Sequence, residues 1–328
     1  MDRRRFLLTS LAGAFAAPGA AGAQPAGKVP KIGWLSDGVR VGLRSYLHDA
    51  FIRGLLDLGY VEGQTVTFER RDAAQKMDML DALAAELVAR NVDVIVATSG
   101  AAALAAKRRT TVIPIIVAES GDPVAIGLVA SLARPGGNVT GMSLTEPQLT
   151  AKRLQLLKEL APRISNVAVL FHMPFPATLL ALNEARAAAP QLGLAITPME
   201  VVGPRAIEAA FSATIRQRAD ALLTSGDPFT ARYRGPIISL AARHHMPATY
   251  ALREFADDGG LMAYGPNLAG VYRDTAVFVD KVLKGAKPAE LPIQQPTKFE
   301  FIVNLKTARA LGLTIPPSLL LRADQVLE

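Results

Sequence analysis

The fold class is decided by residues 92–118, which read VDVIVATSGAAALAAKRRTTVIPIIVA. Two β-rich apolar runs, Val92–Ala97 and Val112–Ala118, flank an alanine-rich segment at Ala101–Lys107. Because β-branched residues favour strands and alanine favours helix, this stretch predicts a strand, a helix and a second strand. Strands joined by such a crossover run parallel and are covered by helices on both faces of their sheet, which predicts an α/β fold.

The same alternation extends in both directions from this stretch. Lys31–Ser36 is predicted as a buried strand, and the leucines after it share one face of a helix that ends at Gly59. The order begins again after Thr145, so we expect a second set of strands and helices. The later predicted strands are Val167–Phe171, Leu194–Met199, Ala221–Thr224, Pro247–Tyr250, Leu261–Tyr264 and Phe299–Asn304.

Composition excludes several classes of protein. The 328 residues are 50% hydrophobic and 20% charged, which is typical of a folded chain rather than a disordered one. The chain has no cysteine, so disulfides, thiolate catalysis, cysteine zinc sites and a lipid-modified cysteine are excluded. The formal net charge is +7, but the basic clusters Arg70-Arg71 and Lys107-Arg108-Arg109 are not interleaved with aromatic residues. We therefore expect no nucleic-acid partner.

The N-terminus has the pattern of an export signal. Met1-Asp2-Arg3-Arg4-Arg5-Phe6-Leu7 is followed by a short apolar run and by small residues that suit cleavage after Ala23. Residues 1–23 are therefore predicted to be a signal peptide that directs the protein to the periplasm. The adjacent arginines resemble a twin-arginine signal, and an ordinary Sec signal is the alternative. No later stretch is apolar for 18 residues, so we expect a soluble, freely diffusing mature protein.

One tetrapeptide occurs twice, as Ser120-Gly121-Asp122-Pro123 and as Ser225-Gly226-Asp227-Pro228. Each copy follows a predicted buried strand, and Asp before Pro is typical of the first residues of a helix. Ligands of open parallel sheets bind outside the carboxyl ends of the strands, where both copies are expected. The repeat is consistent either with two well-capped helices or with matching ligand-binding loops on two lobes.

Thr98-Ser99-Gly100 forms a third strand-end loop, directly before the alanine-rich segment. Two hydroxyls and a glycine before a helix suit a carboxylate or another anion at the helix N-terminus. A hydroxyl that only caps the helix is the alternative. Trp34 lies in a strand that is predicted to be buried on both faces, so we expect it in the core rather than as a stacking platform.

Several blocks of this chain have the pattern of one known protein family. They are Phe51–Leu55, Leu58–Gly63, Gly121–Val124, Ser131–Gly141, Arg253-Glu254-Phe255, Gly259–Pro266 and Gln295–Glu300. The blocks with Leu-Ala-Arg-Pro-Gly-Gly-Asn and Tyr-Gly-Pro are the most specific, and together the blocks span nearly the whole chain after residue 30. In these blocks the chain resembles the ABC-transporter substrate-binding family that includes the TrpX-like proteins.

The resemblance implies the type I periplasmic-binding-protein fold, with two Rossmann-like lobes and parallel sheets joined by a three-segment hinge. We expect residues 30–143 with 266–290 to form lobe I and residues 144–265 to form lobe II. Residues 291–328 are expected to cross back, with no lobe assigned to them. The crossings are expected near 141–145, 260–266 and 286–296.

The resemblance also implies a function. We expect an extracytoplasmic, monomeric solute-binding protein that delivers a small polar metabolite, such as an amino acid, to a membrane permease with its ATPase subunit. A sensory binding protein that docks on a membrane receptor is the alternative, since the sequence does not separate the two.

An exported α/β enzyme is the least favoured interpretation. The first strand leads into Gly33-Trp34-Leu35-Ser36-Asp37-Gly38 rather than a G-x-G-x-x-G loop, and no nucleophile elbow or phosphate-binding loop occurs. Of the four histidines, only His172 follows a predicted strand, and it has no evident triad partner. We predict no catalytic residue, no metal site and no cofactor.

The predicted ligand contacts are polar or aromatic residues at strand ends. Hydroxyls and helix N-termini would hold an anionic group, a carboxylate would accept from an amine, and a ring would cover a flat part of the ligand. The predicted contacts are Ser36, Thr98, Ser99, Ser120, Asp122, Phe171, Ser225, Asp227, Tyr250 and Tyr264.

Overall fold

The computed structural model describes residues 28–38, 44–74, 76–144, 148–172 and 176–328. The predicted signal peptide at 1–23 lies outside these residues. The first sheet has five parallel strands in the spatial order β2-β1-β3-β4-β5. Its strands and connecting helices are β1 (Lys31–Ser36), α1 (Arg44–Asp57), β2 (Thr67–Asp72), α2 (Leu80–Ala89), β3 (Val94–Ala97), α3 (Gly100–Arg109), β4 (Ile115–Ser120) and β5 (Val139–Ser143).

The second sheet has seven strands in the order β12-β11-β10-β9-β8-β6-β7. Strands β6 to β10 are parallel, whereas β11 runs antiparallel to β10 and parallel to β12. The elements are α4 (Gln148–Leu160), β6 (Asn166–Phe171), α5 (Pro176–Ala188), β7 (Ala195–Glu200), α6 (Ile207–Arg216), β8 (Ala221–Thr224), α7 (Pro228–Arg232), α8 (Arg234–Arg243), β9 (Ala248–Tyr250), α9 (Arg253–Asp257), β10 (Met262–Pro266), α10 (Leu268–Leu283), β11 (Phe299–Asn304), α11 (Leu305–Ala310), α12 (Pro317–Leu320) and β12 (Gln325–Leu327).

Three segments connect the two lobes. The chain leaves the first sheet after β5, returns after β10 because α10 packs on α1 and on β3 to β5, and leaves again before β11. The last crossing pairs with the first: Gln294 N donates to Gly141 O at 2.9 Å, and Ser143 N donates to Gln294 O at 2.8 Å. The predicted fold class, two α/β lobes with three crossings, is confirmed.

The core of lobe I lies on both faces of the first sheet. Alternate residues of the first sheet face α2 and α3 on one side and α1 and α10 on the other. Trp34 lies on the second side, with its ring 5.1 Å from that of Phe51 and 6.2 Å from that of Tyr272. The prediction that Trp34 belongs to the core is confirmed.

The prediction of a helix after Pro123 is wrong. Residues 123–128 form turns, in which Leu128 N donates to Pro123 O at 2.8 Å and Gly127 has a positive φ of 71°. The left-handed glycine turns the chain so that Leu128 enters the core, and a helix cannot continue through this conformation. Only the second copy of the tetrapeptide therefore begins a helix.

Candidate functional site

The candidate site is the cleft between the carboxyl ends of the two sheets. Helix α1 is the next described element after β1, and α9 is the next element after β9, so both come after the strand-end edges. Tyr46 in the first turn of α1 donates its hydroxyl hydrogen to Glu254 Oε1 of α9 at 3.0 Å. This contact joins the two lobes and brings the two strand-end edges together, which is where open α/β sheets bind ligands.

Ser36 and Thr98 lie side by side in lobe I. Leu35 pairs with Ala97 between β1 and β3, and Ser36 and Thr98 are the residues that come next on the two strands. The Ser36 hydroxyl accepts a hydrogen bond from Gly38 N at 3.3 Å. The Thr98 hydroxyl is buried and makes no hydrogen bond in the described part of the chain. A buried hydroxyl without a partner is unfavourable, so this group is suited to bind a polar ligand atom.

Ser99 caps the ten-residue helix α3, and its Oγ accepts from Ala102 N at 3.3 Å. The N-terminus of this helix, with its partial positive charge, therefore lies beside the Thr98 hydroxyl. Ser120 also lies at a strand end, but it donates its hydroxyl hydrogen to Met142 O at 2.7 Å and is buried. Its hydroxyl holds β4 to β5.

The two copies of the tetrapeptide differ in what their carboxylates bind. Asp227 Oδ1 accepts from Phe229 N and Thr230 N, and Asp227 Oδ2 accepts from the Ser225 and Thr230 hydroxyls at 2.9 Å each. Asp122 Oδ1 accepts from Val124 N and Ala125 N at 3.0 Å, and its other oxygen has no hydrogen bond among the described residues. The carboxylate of lobe II is thus saturated by its own loop, and that of lobe I is not.

The predicted aromatic contacts are mostly packed inside lobe II. The side chain of Tyr250 is 1% exposed and stacks on Phe255 at 4.5 Å, and this burial raises the pKa of its hydroxyl. Phe171 is buried in the core between the sheet and α4 and α5. These rings lie within the lobe rather than at its surface.

Tyr264 lies away from the other predicted contacts. It is half-buried beside Phe299 and Phe301, next to a shallow cavity of about 400 Å³ that Lys152 and Arg322 also line. Its backbone oxygen accepts from Arg153 Nε at 2.7 Å. The structure therefore brings together Ser36, Thr98 and Ser99, and it places Tyr264 on the flank of lobe II.

The strand ends carry further polar residues that the sequence analysis did not select. Asp37 and Glu119 are buried acids at the ends of β1 and β4, and both have interaction partners. His172 follows β6, and its ring stacks on that of Phe229 at 4.3 Å. Glu254 lies in α9, four residues after the last residue of β9, so the rule that ligands bind directly after strands did not select it.

The described residues contain no group of three or more histidine, aspartate or glutamate side chains arranged to hold a metal ion. None of their helices is both long enough and apolar enough to span a bilayer.

Solved structures share this architecture. A domain from Streptococcus pneumoniae in complex with L-Trp has a TM-score of 0.82 and 27% identity, covering 91% of this chain and 99% of its own. A conserved domain protein from Vibrio cholerae also has a TM-score of 0.82, with 25% identity over 91% of this chain and all of its own. The two-lobed architecture and these similarities define a solute-binding protein with the type I periplasmic-binding-protein fold.

The sequence assigns the chain to a family within that class. The sequence model of the ABC transporter substrate binding proteins matches residues 44–327, so the chain belongs to this family of extracytoplasmic solute-binding proteins. A curated relative, the tyrosine-binding protein of Clostridioides difficile, is 25% identical over 263 residues, which are 80% of this chain and 75% of that protein. The family binds solutes for transport, and it does not consist of enzymes.

Proposed function

We propose that this substrate-binding protein carries an aromatic amino acid to the permease of an ABC importer. One relative named above is a tyrosine-binding protein and one was solved in complex with L-Trp, and the cleft offers partners for both ends of a zwitterion. The observation that carries the proposal is the buried, unpartnered Thr98 hydroxyl beside the N-terminus of α3. A hydroxyl and a helix N-terminus together suit the carboxylate of an amino acid.

The two lobes divide the proposed contacts. Lobe I supplies Ser36, Thr98 and Ser99 around the carboxylate, and lobe II supplies acidic and aromatic groups around the rest of the ligand. The stacked rings of His172 and Phe229 are the aromatic pair that follows the strand ends of lobe II. An aromatic side chain of the ligand would gain by packing against such rings.

Binding measurements test this proposal. Native mass spectrometry of the purified protein is expected to detect a retained amino acid, and calorimetry is expected to show binding of L-tyrosine or L-tryptophan. Thr98→Val keeps the shape but removes the hydroxyl, so affinity is expected to fall by roughly 10- to 150-fold, the equivalent of a hydrogen bond to a charged group.

Thr249→Val is the matched control, because its buried hydroxyl also has no hydrogen bond among the described residues but lies within β9 rather than after a strand end. It is expected to leave affinity unchanged. A retained ligand without an amino group, or equal effects of the two substitutions, would contradict the proposal.

We further propose that the protein reaches the periplasm through the twin-arginine pathway and is cleaved after Ala23. The sequence Arg3-Arg4-Arg5-Phe6-Leu7 supports this proposal. Replacing Arg3 and Arg4, or Arg4 and Arg5, by Lys is expected to leave precursor in the cytoplasm, as cell fractionation would detect. Normal export of both double variants would exclude this pathway.

A further inference from the structure

Glu254 is a buried carboxylate between the lobes. Its side chain is 2% exposed, and Oε1 accepts a hydrogen bond from the Tyr46 hydroxyl of the opposite lobe. Its second oxygen, Oε2, is buried and makes no hydrogen bond with any residue that the structure describes. Burying a carboxylate is unfavourable unless a cation or hydrogen-bond donors compensate it, so Oε2 requires a partner.

Within the described ranges, no cationic side chain pairs with Glu254. Arg253 precedes Glu254, but its guanidinium group contacts Asp257 at 3.1 Å, Glu300 at 2.7 Å and Gln325 at 2.8 Å. None of the ion pairs within the described ranges includes Glu254. Among the described residues, the Tyr46 hydroxyl is therefore the donor that Glu254 has, and Oε2 is left without one.

Glu254 lies near the strand ends, where open α/β sheets bind ligands. It lies in the helix that follows β9, and its partner Tyr46 lies in the helix that follows β1. A cation that enters between the strand ends would meet a carboxylate that is already oriented by a hydrogen bond from the other lobe. Asp227 does not offer this, since both its oxygens are used within its own loop.

We propose that Glu254 binds the ammonium group of the ligand and that Tyr46 holds its carboxylate in position across the cleft. This inference rests on the proposed amino-acid ligand. It assigns the ammonium end to lobe II and the carboxylate end to the Thr98 loop of lobe I. Both lobes then contact one small molecule, which is what favours a closed arrangement.

The test compares ligands that differ only in the amino group. Wild-type protein is titrated with L-tryptophan and with indole-3-propionate, and with L-tyrosine and 3-(4-hydroxyphenyl)propionate. We expect the amino acids to bind roughly 10- to 150-fold more tightly than the analogues, as for a charge-assisted hydrogen bond. Glu254→Gln keeps the size and an acceptor for Tyr46, and it is expected to abolish this preference by weakening only the amino acids.

Two further variants complete the design. Asp122→Asn removes the lobe I carboxylate whose second oxygen has no hydrogen bond among the described residues, and it is expected to keep the preference. Tyr46→Phe keeps the charge of Glu254 but removes the orienting hydroxyl, and it is expected to reduce the preference partly. If Glu254→Gln does not fold, as circular dichroism would show, Tyr46→Phe decides: an unchanged preference overturns the inference.

The outcomes separate this inference from the proposed function. If wild-type protein binds neither amino acid, the proposed ligand is wrong and the inference falls with it. If it binds an amino acid and Glu254→Gln retains the preference, or if that variant weakens amino acid and analogue equally, only the inference is wrong. Loss of the preference in Asp122→Asn instead would assign the ammonium group to lobe I.

Discussion

Asp122 and Asp227 occupy the same position in identical tetrapeptides, but their surroundings give them different chemistry. In lobe II, Asp227 begins α7, and its two oxygens accept four hydrogen bonds from the loop. In lobe I, no helix follows, and one oxygen of Asp122 remains without a hydrogen bond among the described residues. At the scale of a residue, the structure of the segment that follows decides whether a carboxylate caps a helix or keeps an oxygen available for a ligand.

Replacing Asp227 by Ala tests its structural role. The change removes a helix cap and leaves the Ser225 hydroxyl without its acceptor, whereas the Thr230 hydroxyl can still donate to Ser225 O at 2.8 Å. The free energy of unfolding is therefore expected to fall by about 1–3 kcal/mol. Ligand affinity is expected to stay within about twofold, since no oxygen of Asp227 is free for a ligand. Urea denaturation and calorimetry measure the two effects. A large loss of affinity with unchanged stability would instead make Asp227 a ligand contact.

At the scale of elements, the crossings depend on close backbone contacts that only glycine allows. Gly265 lies in β10 where the chain leaves the second sheet, and a Cβ there would lie 1.7 Å from Ala251 O. Gly141 begins the first crossing with a φ of 135°, and its Cβ would lie 2.1 Å from Val117 O. The glycines of these blocks thus set the geometry of the connections between the lobes.

Gly265→Ala is expected to reduce the free energy of unfolding by at least about 3 kcal/mol, because the β9 backbone would have to move. Gly137→Ala is the control, since no atom lies within 4 Å of its Cβ position. Its effect is expected to stay within about 0.5 kcal/mol. Thermal denaturation of both variants checks the comparison, and equal stabilities would mean that β9 and β10 are not packed as described.

Much of this element level could be predicted from the sequence. Runs such as Val94–Ala97 form strands because β-branched residues buried on both faces suit a parallel sheet. The strand at Phe299–Asn304 was predicted, but its antiparallel direction and its partner β12 could not be, because edge pairing depends on where the third crossing returns the chain. The turns after Pro123 were missed because a short Asp-Pro signal does not reveal that Gly127 will reverse the chain.

The candidate site was less predictable than the fold. The rule that ligands bind after strand ends selected Thr98 and Ser99, which follow β3. These two residues could be found from the sequence because the alternation of strands and helices shows where each strand ends. It could not distinguish rings that face a cleft from rings that face the core, so Tyr250 was included although Phe255 covers it. Glu254 was missed because its burial and its contact with Tyr46 depend on residues 208 positions apart.

At the scale of the whole molecule, we expect the lobes to move relative to each other when a ligand binds. Three connecting segments allow a hinge, and a ligand held by both lobes shifts the equilibrium only through contacts that the open form lacks. The Tyr46–Glu254 hydrogen bond joins the lobes, so it is expected to break when they separate. Ligand binding, lobe closure and added stability are therefore expected to occur together.

Small-angle scattering with and without ligand tests the two-lobed capture mechanism most directly. With saturating L-tyrosine or L-tryptophan, the radius of gyration is expected to fall. The melting temperature is expected to rise with ligand concentration. At one hundred times the Kd, the ligand is expected to add about 2.7 kcal/mol to the free energy of unfolding. Forward scattering should give the mass of one chain in both states. Superimposable curves at a ligand concentration that calorimetry shows to be saturating would contradict closure of the lobes around the ligand.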